Sequence, residues 1–290
     1  MCDEADLSRF DRLNAAKTGL NRRQFAVLGA AGTLAACTSM DATASSALKE
    51  SSVSFATPDG TMDGFFVHPG EGKHPAVILW PDIASIRDSK RMMARRLAGE
   101  GYAVLLVNPY YRDVAGEQFA DFAAFMQSGW DKVKPWRAQL SADAIMRDAT
   151  AIIGWLDAQE TVDTTRGIGN QGYCMGGPFT FWTAAARPAR VSAAASFHGG
   201  GLVREDAQSP HKTFGEAKAQ YLVAIAQNDD AKAPGDKDAL RDAAERVGAK
   251  AEIEVYPADH GWCVPDSPSY NEAEAERAWA RLLALYERAL

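Results

Sequence analysis

Short apolar runs alternate with longer amphipathic stretches from residue 51 onward. Ala76–Trp80 and Ala103–Val107 contain only apolar residues, which is typical of strands buried on both faces of a parallel sheet. Between them, residues 87–99 carry Met92, Met93, Arg96 and Leu97 at helical spacing, which predicts a crossover helix. The pattern therefore predicts a strand–helix–strand unit.

The same two periodicities continue along the rest of the chain. Strands are also predicted at residues 53–56, 64–67, 167–173, 191–197, 221–226 and 251–256. Helices are also predicted at residues 138–159, 239–247 and 269–290. This alternation predicts a single α/β domain over residues 51–290, with a mostly parallel central sheet and helices on both faces.

The first 50 residues are typical of an export signal followed by a tether. Arg22 and Arg23 precede a weakly apolar stretch at residues 26–36, which is shorter than the ~20 residues of a membrane-spanning helix. Paired arginines before such a stretch resemble a twin-arginine signal. The sequence LAAC, which ends at Cys37, resembles a lipobox. We therefore expect an exported bacterial protein that is periplasmic or is anchored to the membrane through a lipidated Cys37.

Two alternatives stay open for this region. One is an amphipathic N-terminal helix followed by a polar linker at residues 38–50, and the other is a conventional cleavage after Ala44. With either export route, residues 42–50 are expected to form a tether rather than a structural element.

Composition narrows the classes of function. The 290 residues are 47% hydrophobic and 24% charged, which is the average for globular proteins. The formal net charge of −7 provides no basic surface for phosphates, so a nucleic-acid partner is disfavoured. Two of the cysteines, Cys174 and Cys263, lie in the predicted domain, where they could form a disulfide. Each lies in a motif that indicates chemistry instead.

The sequence GYCMGG at residues 172–177 carries the strongest chemical signal. It follows a predicted strand and precedes a helix-compatible segment, which is the context of a nucleophile elbow. Such a turn holds the nucleophile in a strained conformation and requires glycine on either side. Cys174 occupies the nucleophile position, and the N-terminus of the following helix favours its thiolate. The alternative is a buried structural cysteine.

A base and an acid are expected after the nucleophile in the chain. His260 follows a predicted strand and is the best candidate for the base, whereas His198 is expected to be a pocket wall and His211 a solvated side chain. Asp229 follows the strand at residues 221–226 and is the predicted acid that orients the imidazole. Asp230 is its competitor.

Two backbone amides should stabilise an oxyanion near the elbow. Met175 follows the nucleophile directly, and Ile83 lies in the loop after the strand that ends at Trp80. An aromatic-rich insertion at residues 113–137 is expected either to cover an apolar pocket or to pack as ordinary core.

Several of these motifs together resemble the dienelactone hydrolase family, over most of residues 51–290. The shared features are the GYCMGG elbow, Pro81-Asp82-Ile83, Asn108-Pro109-Tyr110-Tyr111-Arg112, Asp229 and Asp259-His260-Gly261. The resemblance implies an α/β-hydrolase fold, a Cys-His-Asp triad, no metal or organic cofactor, and hydrolysis of small lactones or related esters through an acyl-enzyme.

The resemblance also implies two further site residues. Asp82 matches an acidic residue that interacts with the resting thiol, although the family usually has glutamate there. Arg112 matches an arginine that holds a substrate carboxylate, and a structural ion pair is the equal alternative for it. The second arginine of the family, expected shortly after the histidine, is absent, and that stretch contains Trp262. Arg112, His198 and Trp262 are the predicted substrate-binding residues.

The predicted reaction uses His260 as the base for Cys174, with the resulting acyl-enzyme hydrolysed by water. Two alternatives of another class stay open. One is a non-hydrolytic protein of the same fold that uses Cys174 and Cys263 as a thiol switch, and the other is a membrane-tethered binding protein.

Overall fold

A computed structural model describes residues 47–290 and arranges them around one eight-stranded sheet. The strands are β1 (Leu48–Thr57), β2 (Gly60–Pro69), β3 (Ala76–Trp80), β4 (Ala103–Val107), β5 (Ile168–Tyr173), β6 (Val191–Phe197), β7 (Gln220–Ala226) and β8 (Ala251–Tyr256). Their order in the sheet is β1-β2-β4-β3-β5-β6-β7-β8. The pairs β1–β2 and β2–β4 are antiparallel, and the other pairs are parallel. The predicted mostly parallel sheet is therefore confirmed.

Helices cover both faces of this sheet. They are α1 (Asp88–Gly99), α2 (Phe122–Arg137), α3 (Ala142–Asp157), α4 (Gly177–Ala186), α5 (Gln227–Lys232), α6 (Asp236–Val247) and α7 (Glu272–Ala289). The side chains of β4 alternate between two hydrophobic cores: Leu105 belongs to the core that contains α3, α4 and α6, and Leu106 to the core that contains α1 and α7. This two-sided burial explains why β4 lacks polar residues.

The first strand begins earlier than predicted. Leu48, Lys49 and Glu50 were assigned to the tether, but they belong to β1, which pairs with β2 along its whole length from Leu48 to Thr57. Most of β1 is exposed at the edge of the sheet, so its polar sequence carries no apolar alternation. Backbone pairing rather than burial defines its start. The export-signal predictions at Arg22, Arg23 and Cys37 lie outside the described residues.

The predicted helix at residues 138–159 is shorter in the structure, and a separate helix precedes it. Helix α3 begins after Ser141, whose side chain accepts a hydrogen bond from the Ala144 amide and caps the helix. Helix α2 lies within the insertion and is capped by Asp121. No helix within residues 47–290 combines the length and the apolar character needed to cross a membrane.

Candidate active site

The turn after β5 has the geometry of the predicted elbow. Cys174 has a φ angle of 52°, which is uncommon for a residue with a side chain. A Cβ atom at Gly172 would collide with the backbone of Gly176, and one at Gly176 would lie 2.7 Å from the carbonyl oxygens of Trp80 and Pro81. The glycines on either side of Cys174 are therefore required by close packing of backbone against backbone.

Backbone strain is concentrated at one edge of the sheet. Within residues 47–290, the non-glycine residues with positive φ are Ser85, Cys174 and His198. They follow β3, β5 and β6, respectively, and these neighbouring parallel strands end at the same edge. Strained residues of this kind persist where the surrounding structure fixes them, and they are common at functional sites.

The loops after β7 and β8 bring an acid to a histidine. Asp229 in α5 lies 2.6 Å from Nδ1 of His260, measured from its Oδ2 atom. The backbone amide of His260 also donates to Oδ1 of Asn228 at 2.8 Å, which holds the two loops together. Residues 227–230, which directly follow β7, begin the short helix α5, and this helix presents Asp229 to the imidazole.

The neighbouring carboxylates have other partners. Asp230, the competing candidate, forms an ion pair with Lys237 at 2.7 Å. Asp259 accepts a hydrogen bond from the side chain of Gln227 at 3.1 Å. The structure therefore pairs Asp229, rather than Asp230, with His260.

Cys174 lies beside two imidazoles. Its Sγ atom and one ring nitrogen each of His198 and His260 all lie within 4.8 Å of one another. Because Nδ1 of His260 is held by Asp229, Nε2 is the nitrogen left for the thiol. Cys174 itself is neither fully buried nor exposed.

His198 is more deeply placed than a pocket wall. It is 1% exposed, and its ring packs edge-on against His260 at a centroid separation of 4.6 Å. Burial, together with the neighbouring His260, holds the pKa of His198 well below its ordinary value. The ring is therefore neutral at physiological pH. Its proximity to Cys174 agrees with the prediction made from its position after β6, whereas its burial had no signal in the sequence.

A buried tyrosine with no predicted role of its own links the two predicted oxyanion residues. The hydroxyl of Tyr110 donates to the carbonyl of Ile83 at 2.9 Å and lies 3.2 Å from Sδ of Met175. Tyr110 is 1% exposed, so this contact fixes the Ile83 loop beside the elbow from within the core. The signal in the sequence was the tyrosine pair that follows the buried strand β4.

Asp82 lies in a buried cluster of charges. It is 3% exposed, its Oδ1 lies 2.7 Å from Nη1 of Arg87, and its Oδ2 lies 2.8 Å from Nζ of Lys90. Burial alone would raise the pKa of Asp82, but the two cations hold it well below its usual range. Asp82 is therefore an anion that two buried cations share, and its action on the resting thiol stays a prediction.

Arg112 forms ion pairs with two acidic residues. Its guanidinium lies 2.6 Å from Asp59 and 2.7 Å from Asp148, and its side chain is 8% exposed. Tyr111 also donates to Asp148, at 2.6 Å. These contacts fit the alternative of a structural ion pair for Arg112. The guanidinium nitrogens that would bind a substrate carboxylate already bind Asp59 and Asp148.

Side chains of the protein contact Trp262, His211 and the aromatic insertion. Trp262 is fully buried and packs against His198 and Tyr256, and its contact with a substrate stays a prediction. His211 lies outside the cluster and makes a 2.7 Å hydrogen bond with Ser209. The aromatic insertion packs into the core cluster that also includes Met175, and its partly buried members are Phe122, Met126, Trp130 and Trp136.

A parallel sheet that presents a strained cysteine at a strand–turn–helix junction, followed in the chain by an acid and a histidine, defines the α/β-hydrolase fold. Comparisons with known proteins agree. Residues 62–290 match the sequence model of the "Dienelactone hydrolase family". The chain belongs to the dienelactone hydrolase family, and it is a hydrolase of carboxylic esters or lactones.

Individual relatives are distant in sequence. A Salmonella typhi protein named "Putative carboxymethylenebutenolidase" is 28% identical over 228 residues, which cover 77% of this chain and 81% of the relative. A protein of the same name from Methylorubrum extorquens is 27% identical over 291 residues, which cover 96% and 95% of the two chains. The crystal structure of a "Putative Dienelactone Hydrolase" from Klebsiella pneumoniae has a TM-score of 0.72 at 25% identity, covering 83% of this chain and 99% of the other.

Replacing Arg112 by leucine should lower the free energy of unfolding by about 3 to 5 kcal/mol, because the fully buried Asp148 would lose the cation that compensates it. Urea denaturation measures this change. Arg147→Leu is the matched control, since Arg147 binds the same Asp59 but is 47% exposed, and it should cost no more than about 1 kcal/mol. Equal stability of the two variants, with a raised KM only for esters that carry a free carboxylate, would instead assign Arg112 to the substrate.

Proposed function

We propose that this chain hydrolyses esters or lactones through a Cys174–His260–Asp229 triad and a covalent acyl-enzyme. The observation that carries the proposal is the 2.6 Å contact of Asp229 with Nδ1 of His260, beside a thiol within 4.8 Å. A nucleophile, a base and a group that orients the base are the parts that such catalysis requires. Contacts between nucleophile and base are often loose before substrate binds.

The reaction begins with transfer of the thiol proton to Nε2 of His260, while Nδ1–H donates to Asp229. The Cys174 thiolate attacks the substrate carbonyl, and the amides of Met175 and Ile83 donate to the oxyanion. The C–O bond to the leaving group breaks, and the imidazolium returns its proton to the departing alkoxide. Water then attacks the thioester with His260 as base, which releases the carboxylic acid and restores the thiol.

The charge distribution supports an uncharged ester or lactone as substrate. Arg112 is paired with Asp59 and Asp148, and the second arginine of the family is absent from residues 261–265. A substrate carboxylate would therefore find Arg112 already paired with acidic side chains and no arginine at residues 261–265. The partly buried aromatic side chains of α2 supply apolar surface in the core that also contains Met175, and an uncharged acyl group would bind to such a surface.

The thiol-switch alternative has less support. Burial raises the pKa of Cys263 to about 12, so this thiol keeps its proton and is a weak nucleophile for disulfide exchange. Cys263 also lines a cavity of about 280 Å³ next to α1 and α7, whereas Cys174 belongs to the opposite hydrophobic core.

We also propose export through the twin-arginine signal, with lipidation of Cys37 as the membrane tether. The support is the sequence alone. This proposal is independent of the triad.

Replacing Cys174 by alanine should abolish turnover of a neutral aryl ester, because it removes the thiol that forms the proposed acyl-enzyme. Circular dichroism should show an unchanged fold, since alanine retains the Cβ atom and only the thiol is removed. Cys263→Ala is the matched control and should keep the wild-type rate. Full activity of Cys174→Ala would refute the cysteine mechanism.

The acid is tested by comparing Asp229→Asn with Asp230→Asn. The first change should lower kcat/KM for the same ester by ~10²-fold or more, because the imidazole loses the anion that fixes its tautomer and stabilises its charged form. The second change removes only the partly exposed ion pair with Lys237 and should leave kcat/KM close to the wild-type value. The reverse ranking in steady-state kinetics would assign the role to Asp230.

Replacing Cys37 by serine in the full chain should move the protein from the membrane fraction to the soluble periplasmic fraction, because the residue that carries the lipid is removed. Immunoblots of fractionated bacterial cells measure the distribution. Arg22→Lys together with Arg23→Lys should instead retain the precursor in the cytoplasm. A wild-type protein that is soluble in the periplasm would contradict the lipid tether.

A further inference from the structure

The donor atoms around Cys174 match the preferences of a thiophilic divalent metal ion. One thiol and two imidazoles lie with one donor atom each inside 4.8 Å of one another. Sulfur and imidazole nitrogen are the ligands that Zn²⁺ and Co²⁺ take up in proteins, whereas Mg²⁺ and Ca²⁺ require oxygen ligands. The chemistry of the three donors therefore selects one class of ion.

A second, independent observation concerns the hydrogen bonding of the His198 ring. His198 is 1% exposed, and neither of its ring nitrogens has a hydrogen-bond partner among the residues that the structure describes. Buried polar groups in native proteins are nearly always satisfied, so this ring requires an explanation. One of its nitrogens points into the space that Cys174 and His260 share. A ligand in that space would satisfy it.

Asp229 already has the position of a carboxylate behind a metal-binding histidine. It holds Nδ1 of His260 at 2.6 Å and so directs the lone pair of Nε2 toward Cys174. Histidines that bind metal ions commonly have such a carboxylate at their other nitrogen, which orients the ring and increases its basicity.

We propose that Zn²⁺ binds to Cys174, His198 and His260 and reversibly switches the hydrolase off. Inhibition by the metal rests on the proposed function, because the metal would occupy the proposed nucleophile and base. Binding of the metal does not rest on that function. The thiol proton is released to solvent as the Zn–S bond forms, the two imidazoles donate lone pairs, and no group changes oxidation state. Three protein ligands would leave the fourth position of a tetrahedral zinc ion for water.

The required rearrangement is small. Bonds of about 2.3 Å to sulfur and 2.0 Å to nitrogen place one sulfur and two nitrogen ligands of a tetrahedral ion roughly 3.3 to 3.6 Å apart. The donor atoms, which lie within 4.8 Å of one another, must therefore approach by at most roughly 1.5 Å. Rotation of the His198 ring would supply this movement, since neither of its nitrogens has a hydrogen-bond partner among residues 47–290.

The test is titration of the full folded protein with Co²⁺, followed by absorption spectroscopy. A single equivalent should produce a thiolate-to-cobalt charge-transfer band together with the visible bands of four-coordinate cobalt. Cys174→Ser should remove the charge-transfer band, and Cys263→Ser, the matched thiol control, should retain it. A band that depends on Cys263, or no band at all, would overturn the proposal.

The role of His198 is tested with His198→Asn, since asparagine tolerates the left-handed backbone found there. Loss of this ligand should weaken Co²⁺ binding by at least ~10-fold, while His211→Asn should leave it unchanged. Unchanged affinity in folded His198→Asn would refute the assignment. If His198→Asn does not fold, alkylation of the wild-type protein decides: Zn²⁺ should protect Cys174 from iodoacetamide, EDTA should reverse the protection, and unprotected labelling would refute the site.

Ester turnover separates this proposal from the proposed function. Zn²⁺ should inhibit the wild-type enzyme at one equivalent, and EDTA should restore the rate. Turnover without a cobalt band would exclude the metal site and leave the triad intact. A cobalt band in a protein that hydrolyses no ester would exclude the triad and leave the metal site intact.

Discussion

The close approach of backbones around Cys174 is the constraint on which the site depends. A left-handed conformation at a residue with a side chain costs on the order of 1 to 3 kcal/mol and persists only where its surroundings enforce it. Here β5 is buried along its whole length, and a Cβ atom at Gly177 would collide with Gly199. The start of α4 therefore lies directly on the turn after β6, which brings Cys174 and His198 together.

Buried charges fix the other side of the elbow. Arg87 is fully buried and binds both Asp82 and Asp266, and Asp266 in turn accepts a hydrogen bond from the backbone amide of Phe122. The loop after β3, the loop after β8 and the start of α2 are thus joined through one guanidinium. Movement of one segment away from the others would leave a buried charge without its partner, which is costly. The three segments therefore keep their relative positions. The Ile83 amide lies in the first of these loops.

The periodic parts of the fold were predictable because burial on both faces leaves a clear sequence pattern, as in β4. The elbow was predictable because its glycines are required by backbone contact. The start of β1 at Leu48 was not, since an exposed edge strand is specified by backbone pairing. The role of Arg112 was undecided for a related reason: its partners Asp59 and Asp148 lie far from it in the chain, and only the fold brings them into contact.

The neutrality of His198 has a consequence for the chemistry of its neighbour. In the proposed reaction His260 accepts the thiol proton and becomes a cation, and a second charged imidazole at a centroid separation of 4.6 Å would oppose that step. Burial against Trp262 keeps His198 uncharged, so the nearest charge to the imidazolium is that of Asp229. The packing of an apolar side chain behind the site thereby leaves His260 between a neutral imidazole and the carboxylate of Asp229.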